Sequence, residues 1–404
     1  MSQQSNESLS PTFNKLWSAA IFSKFADGMA MAAIPLLATT LTRDSVLIAI
    51  QSNMMLLPWL LFAIPLGALL DRINRRLSMI LVQATRVGIG IALASLIMTG
   101  QMNLVALMIL TFIFGISEVV YDTATQSAIP SLLKGNQLER GNSRLQMADT
   151  IMQSVIGVPL GALIFVAAGY SPFLGLAACY VAALILVSSI PSNFMQPEVA
   201  ADAPKRSALK VEIKEGLVYL WQHKVLFRLV MTTGAVGFFY ALGQATLVLF
   251  LLDHLNVKQE QYGLVMIPLA VGALLGAFAS PLLSKRFGRA EALAISLPLS
   301  SFSLLIGGLA PNITWYLIAS FFHGFFIAQW NILLMSTYHA MIPNEIFGRI
   351  HGTRRTIVWG LMPLGGLLGG FIARIDITLP LIVGGIAGTI IAATGYRFMR
   401  SIKT

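Results

Sequence analysis

Two pairs of ionisable side chains lie inside long apolar stretches, where a charge is costly and by default signals function. Lys24 and Asp27 are three residues apart, so they share one face of a helix. Glu118 and Asp122 are four apart and also share a face. A carboxyl group inside a membrane can take up a proton from one side and release it to the other. We therefore expect Asp27, tuned by Lys24, to bind protons or substrate; the alternative is a static ion pair.

Two neighbouring carboxyl groups resist joint ionisation, and this property suits proton exchange. We expect this role for Glu118 and Asp122. The alternative is that Arg144, Arg86 or another helix neutralises both carboxylates structurally. Asp149 stands at the start of an apolar stretch, where we predict a helix-terminal cap or a charge pair.

The other polar side chains in apolar stretches are weaker candidates. A single histidine inside a membrane is more often a hydrogen-bonded packing residue than a ligand. The candidates for lining a cavity are Arg86, Gln153, Gln244, His323 and Gln329. The five histidines are scattered and no His-Glu-x-x-His occurs, so we predict neither a metal nor a cofactor.

Membrane helices must position these groups. Of the 404 residues, 56% are apolar and 11% are charged, and the mean hydropathy is +0.77. Soluble domains carry roughly 25% charged residues, so the composition excludes a soluble enzyme or DNA-binding protein. The single cysteine, Cys179, excludes an internal disulfide bond and a cysteine-based metal cluster.

A helix needs about 20 mostly apolar residues to cross the hydrocarbon core. The sequence contains twelve candidate spans, at 15–41, 46–70, 77–98, 103–125, 146–168, 172–191, 226–252, 261–283, 291–310, 314–337, 354–374 and 378–396. The longest polar interval, 192–225, separates the sixth from the seventh. We predict an all-α membrane protein with six-helix bundles at 1–191 and 226–404, joined by a cytoplasmic linker.

Positive charge is distributed unevenly among the polar intervals. If the N-terminus is cytoplasmic, 22 of the 27 Lys and Arg residues fall in cytoplasmic segments. Arg43, Lys258 and Arg374 fall outside, while Lys24 and Arg86 lie within spans. Cytoplasmic loops accumulate Lys and Arg, so we expect both termini in the cytoplasm. The net charge of +10 then needs no nucleic-acid partner.

The two halves repeat one another weakly. Asp-Arg-Ile-Asn-Arg at 71–75 corresponds in position to Lys-Arg-Phe-Gly-Arg at 285–289. Pro-Leu-Gly at 159–161 recurs at 363–365. Duplicated six-helix halves around a cavity at mid-membrane are typical of secondary transporters.

Residues 67–76, Gly-Ala-Leu-Leu-Asp-Arg-Ile-Asn-Arg-Arg, resemble motif A of the major facilitator superfamily. The resemblance implies a gate formed by Gly67, Asp71, Arg72, Arg75 and Arg76. Gly67 would permit close helix approach. Asp71 would form a cytoplasmic contact that breaks when the two halves rock. The alternative is an ordinary turn with solvated charges.

The segment Gly157-Val-Pro159-Leu-Gly161 resembles the antiporter motif of drug/proton exporters in that superfamily. Its proline removes a backbone donor and its glycines thin the helix, so it predicts a kink at an interface. Residues 115–142 and 342–365 are similar to the branch that includes macrolide and enterobactin-type siderophore exporters. The arginine typical of the family's fourth helix is missing here, so a coupling scheme built on it cannot be transferred.

The resemblance implies the major facilitator fold and proton-coupled efflux of amphipathic small molecules, including multidrug efflux, by alternating access. The cavity is expected between spans 1, 4, 5, 7, 10 and 11. The alternatives are a dedicated siderophore or metabolite exporter, an importer, and a membrane enzyme or sensor without transport. No Gly-x-x-x-x-Gly-Lys-Ser/Thr motif and no nucleophile–base arrangement occur, so we predict neither ATP drive nor enzymatic activity. We expect a monomer in a bacterial cell membrane, with substrate, protons and lipid as partners and no nucleic acid.

Overall fold

The computed structural model describes residues 10–70, 73–133, 136–191, 218–342 and 344–402, and these are almost entirely helical. The predicted linker lies outside the described residues over 192–217. The first six helices are α1 (Pro11–Leu41), α2 (Ser45–Leu70), α3 (Arg75–Met98), α4 (Leu104–Leu132), α5 (Asn136–Ala148, Asp149–Gly157 and Val158–Ala167 in succession) and α6 (Ser171–Ser188). The next are α7 (Lys224–Gln244, then Leu247–Leu249 and Phe250–His254), α8 (Gln259–Val265 and Ile267–Phe287), α9 (Arg289–Gly308), α10 (Ile313–Met341), α11 (Asn344–Ala373), α12 (Leu379–Thr394) and the short α13 (Tyr396–Arg400).

Eleven helices in the described part of the chain are long and apolar enough to cross a membrane. The helix α12 is apolar but has 16 residues, fewer than the roughly 20 that a perpendicular crossing requires. The chain is therefore a multi-pass membrane protein, while the twelfth span and the cytoplasmic location of the termini stay predictions.

Polar side chains cap several helices where the apolar sequence begins. Ser10 Oγ accepts a hydrogen bond from the Phe13 amide at 3.1 Å, at the start of α1. Asn103 Oδ1 accepts one from the Ala106 amide at 2.9 Å, at the start of α4. The first amides of a helix have no partner within it, so these caps fix where each helix starts.

The helices of the two halves pack in the same pattern. In the first half α1 packs against α5 and α6, while α4 packs against α2 and α3. In the second half α7 packs against α11 and α12, while α10 packs against α8 and α9. The halves meet through two equivalent pairs, α2 with α11 and α5 with α8.

Small residues let the helices within the second half approach closely. A Cβ atom on Gly272 or Gly276 of α8, or on Gly324 of α10, would overlap a backbone carbonyl of the other helix. The same holds for Gly365 and Gly369 of α11 against α7. Contacts between small residues replace the hydrophobic effect as a source of helix association in lipid.

The structure corrects the prediction for the start of α5. The sequence placed Asp149 at a helix terminus, but α5 begins at Asn136, so Asp149 lies inside a continuous helix. The first segment of α5 is polar, and an apolar-span search therefore misses it. The segment Asp149–Gly157 is a π-helix that ends just before Pro159. Such a widened turn accommodates the missing amide and the ring of a proline inside a helix.

Candidate transport site

Lys24 of α1 lies among carboxylates from three helices. Its Nζ atom is 3.2 Å from Asp149 Oδ1 of α5 and 3.3 Å from Asp122 Oδ1 of α4. It is 3.7 Å from Asp27 Oδ2, one turn along its own helix. Lys24 therefore connects α1, α4 and α5. We call the following six side chains the Lys24 cluster: Lys24, Asp27, Arg86, Glu118, Asp122 and Asp149.

Asp27 is fully buried and forms an ion pair with Arg86 of α3, which is also fully buried. Arg86 Nη1 is 3.2 Å from Asp27 Oδ1, and the Tyr180 hydroxyl of α6 donates a hydrogen bond to the same oxygen at 2.6 Å. Arg86 also donates to the hydroxyl oxygens of Ser117 and Ser23, at 2.9 and 3.0 Å. These bonds hold α1, α3, α4 and α6 together.

Glu118 differs from the other carboxylates of the cluster because it is half-buried without a fixed partner. No described residue lies within hydrogen-bonding or ion-pair distance of its carboxylate. It does interact electrostatically with the nearby charges of Lys24 and Asp122. Glu118 can therefore gain or lose a proton without breaking a described hydrogen bond.

The Lys24 cluster contains more acids than bases. If all its carboxyl groups are ionised, two cations face four carboxylates. An uncompensated negative charge in a low-dielectric interior is costly. The cluster therefore favours the uptake of protons or of a cationic group.

A central cavity extends from the cluster to the second half. Its larger part has a volume of about 530 Å³, and a smaller part of about 260 Å³ adjoins it. Met31 of α1, Tyr240 of α7, Tyr262 of α8 and His323 of α10 line both parts. The cluster reaches the larger part through Asp149, whose side chain is 41% exposed.

The helices around the cavity differ from those predicted. The described lining comes from α1, α2, α5, α7, α8, α9, α10, α11 and α12, with no described residue of α4. The reason is that the acidic face of α4 turns toward Lys24 on α1. Glu118 and Asp122 therefore influence the cavity through the cluster and do not line it.

The weaker candidates divide into two groups. Gln244 and His323 line the smaller part of the cavity. Gln329 instead accepts a hydrogen bond from Ser296 of α9 at 3.2 Å, and the Gln153 amide contacts a methionine sulfur of α1 at 3.1 Å. These two glutamines, like Arg86, are absent from the described lining.

The motif A residues are described only in part. Arg75 and Arg76 begin α3, and the Arg76 guanidinium donates a hydrogen bond to the Ser188 carbonyl at the end of α6. Gly67 lies in the last turn of α2. Two further residues of the motif lie outside the described residues, Asp71 and Arg72. The gating role of the motif stays a prediction.

The antiporter-motif residues lie where α1, α5 and α8 meet. A Cβ atom on Gly157 would be 2.7 Å from a carbonyl oxygen of α1, and one on Gly161 would be 2.6 Å from Met29 Cα. A Cβ atom on Gly263 of α8 would be 2.6 Å from Pro159 Cα. The motif thus forms part of the contact between the two halves.

Two ion pairs join the halves at the end of the bundle that carries Asp44, called the Asp44 end below. Arg43 Nη1 is 2.8 Å from Asp253 Oδ1, and Arg374 Nη2 is 2.7 Å from Asp44 Oδ2. Beside them, Ser45 Oγ donates a hydrogen bond to a carbonyl oxygen of α11 at 2.9 Å. We call the four charged residues the latch. These pairs were not predictable from the sequence, because the partners are more than 200 residues apart.

Known proteins resemble this chain in sequence and in fold. Macrolide efflux protein A of Streptococcus pyogenes is 22% identical over 366 residues, covering 89% of each chain. The multidrug efflux pump Tap of Mycolicibacterium fortuitum is 23% identical over 369 residues, covering 88% of this chain and 87% of Tap. A crystal structure of the nucleoside transporter NupG superposes with a TM-score of 0.78 at 12% identity, over 96% of this chain and 99% of that one.

A bacterial homologue of the iron transporter ferroportin, in an inward-facing state, gives a TM-score of 0.76 at 14% identity, over 98% of this chain and all of that one. A family model described as transmembrane secretion effector matches residues 8–402. The match spans nearly all of the sequence and every described helix. The chain therefore belongs to the transmembrane secretion effector family of major facilitator transporters.

Proposed function

We propose that this chain is a proton-coupled exporter of amphipathic small molecules in the cell membrane of a bacterium. The sequence relatives named for macrolide and multidrug efflux support the direction of transport and the type of substrate. The distribution of Lys and Arg supports an orientation in which the Asp44 end faces outward and both termini face the cytoplasm.

The observation that carries the proposal is the excess of carboxylates in the Lys24 cluster at the wall of the cavity. Protons neutralise the excess when the cavity is empty. A cationic group of a substrate next to Asp149 neutralises it when the cavity is filled. Because both ligands stabilise the same charge, each weakens the binding of the other, and this competition is the thermodynamic basis of exchange.

Alternating access supplies the movement of the substrate. The latch closes the Asp44 end, so export requires that the two ion pairs break and that the α2–α11 and α5–α8 contacts rearrange. Exposed ion pairs contribute little, about 0–1 kcal/mol each. Breaking the latch therefore costs little free energy.

The test is transport in proteoliposomes with an imposed pH gradient. The wild type, Glu118→Gln and Asp149→Asn would be compared with a cationic dye and a neutral macrolide as trial substrates. We expect the wild type to accumulate substrate against its gradient and Glu118→Gln to lose the dependence on the pH gradient. The matched control is Glu260→Gln, which removes an exposed carboxylate at the start of α8.

Two results would contradict the proposal. If Glu118→Gln and Asp149→Asn both couple transport to the pH gradient as the wild type does, the cluster is structural. If the wild type moves neither substrate under any gradient, a dedicated metabolite or siderophore exporter becomes the better explanation.

A further inference from the structure

The smaller part of the cavity contains polar atoms without partners. This pocket of about 260 Å³, called the tyrosine pocket below, lies mainly within the second half. Its hydrogen-bonding residues include Tyr240, Gln244, Tyr262, Tyr316 and His323. Polar atoms that face a cavity without a protein partner are available to hydrogen-bond water or a ligand.

Two tyrosine hydroxyls have no partner in the described part of the chain. Tyr262 and Tyr316 are 6% and 7% exposed, and no described residue hydrogen-bonds to either hydroxyl. The Gln244 amide donates to the Tyr240 hydroxyl at 3.0 Å, and this bond leaves Gln244 Oε1 buried without a partner. If the amide is turned over, its nitrogen is left unpaired instead.

His323 adds a further acceptor. Its Nδ1 atom is 2.9 Å from the backbone carbonyl oxygen of Ser300 and 3.1 Å from the Ser300 hydroxyl oxygen. The carbonyl oxygen can only accept a hydrogen bond, so the shorter contact favours the tautomer with the proton on Nδ1. In the neutral ring Nε2 is then an acceptor, and no described residue bonds to it. The ring stacks on Tyr240, with 5.3 Å between centroids and an interplanar angle of 10°.

The lining of the tyrosine pocket contrasts with that of the larger part. Its described residues include no Asp, Glu, Lys or Arg, whereas the larger part carries Asp149. Apolar side chains such as Leu304 and Leu381 complete its wall. A buried ion without a counter-charge is costly, so an uncharged ligand is favoured. Aromatic faces beside several unpaired hydrogen-bonding atoms suit a ring that carries hydroxyl groups.

We propose that the tyrosine pocket binds an uncharged, polyhydroxylated ring, such as a glycosyl group, of the transported molecule. The proposal rests on the proposed function, because the ligand is the cargo. Tyr262 and Tyr316 hydrogen-bond the ring hydroxyls, Gln244 and His323 accept from others, and the stacked rings contact its apolar face. The charged end of the cavity, at Asp149, is left for a different part of the cargo.

The test measures ligand binding in the absence of a pH gradient. The full-length protein in lipid nanodiscs would be titrated calorimetrically with phenyl β-D-glucoside and with 2-phenoxytetrahydropyran, which has the same rings without hydroxyls. We expect the glucoside to bind at least about tenfold more tightly. Tyr262→Phe and Tyr316→Phe should each weaken glucoside binding about threefold to tenfold and leave the other ligand unchanged. The control is Tyr170→Phe, which lies outside the cavity between α5 and α6.

Several outcomes overturn the proposal. Equal affinity for the two probes, or tyrosine variants that bind like the wild type, means that the hydroxyls are not recognised. No binding of either probe means that the pocket holds water only. Export of phenyl β-D-glucoside is measured separately in proteoliposomes. Hydroxyl-dependent binding without export overturns the proposed function. Export that is insensitive to both tyrosine substitutions overturns the role of this pocket in cargo binding.

Discussion

The buried ion pair between Asp27 and Arg86 restricts the movement of the side chains in the Lys24 cluster. Both side chains are fully buried, and their partners come from four helices. Removing one partner of such a pair leaves an uncompensated charge, at a cost of about 3–5 kcal/mol. This position favours a structural role for Asp27 and leaves Glu118, Asp122 and Asp149 as the groups free to exchange protons.

We predict that Asp27→Asn and Arg86→Gln each lower the thermal unfolding temperature strongly, and that the double variant recovers part of the loss because no lone charge remains. Thermal unfolding in detergent measures the three variants, with Asp376→Asn as an exposed-loop control. Strictly additive losses would show that the two side chains do not act as a pair.

Asp149 should distinguish substrates by charge. It is the member of the cluster that lines the cavity, so Asp149→Asn should weaken binding of a cationic dye about tenfold, the value of a lost charge-assisted contact. Binding of a neutral macrolide should change less than twofold. Fluorescence anisotropy of the dye and its displacement by the macrolide measure both. An equal loss for the two ligands would indicate a distorted cavity.

The spacing of ionisable residues in the sequence identified the candidate side chains but not their partners. Lys24 was paired with Asp27 because they share a helix face, whereas its shorter contacts are to Asp122 and Asp149. The rotation of α4 and α5 about their axes decides those partners, and sequence spacing within one helix carries no information about it. Asp149 forms a charge pair with Lys24, which is one of the two predicted arrangements. It does not lie at a helix terminus, because the polar first segment of α5 hid the true start of the helix.

At the scale of helices, the antiporter-motif glycines set the distance between α1 and α5. A Cβ atom on Gly161 would meet the Met29 backbone, which cannot move aside as a side chain can. We predict that Gly161→Ala destabilises the protein by about 1–3 kcal/mol, the usual effect of overpacking, and slows transport. Gly88→Ala on α3 is the control, because a Cβ atom there has nothing within 4 Å. Thermal unfolding and dye efflux measure both variants; identical behaviour would contradict the packing argument.

At the scale of the whole molecule, the equivalent contacts α2–α11 and α5–α8 suit two halves that rock about a shared cavity. Sequence repeats at 71–75 and 285–289 predicted a duplication, but could not predict which helices line the cavity. Helix crossings decide that, and they depend on glycine contacts such as Gly272 on α8 with α10, between segments distant in sequence.

The latch predicts how the whole molecule responds to charge at the Asp44 end. Hydrogen bonds from the Leu47 amide and from Arg374 lower the pKa of Asp44 below its ordinary value of 3.8. Asp44 therefore stabilises the closed end at every pH above 3.8, and this contribution is lost only as the pH falls from there toward the lowered pKa.

We therefore expect the contribution of Asp44 to the closed end to stay constant at external pH between about 8 and 5, since Asp44 stays ionised throughout that range. Ser52→Cys in a Cys179→Ser background places a thiol at the cavity near the latch, and its labelling by a membrane-impermeant maleimide reports opening. Asp44→Asn should raise the labelling rate about twofold to fivefold, the range for an exposed ion pair. Each labelling rate is divided by the labelling rate of a freely exposed cysteine at the same pH. This normalisation removes the pH dependence of the maleimide reaction itself. A ratio of the Asp44→Asn rate to the wild-type rate that changes between pH 8 and 5, or that equals one, would show that another contact holds this end closed.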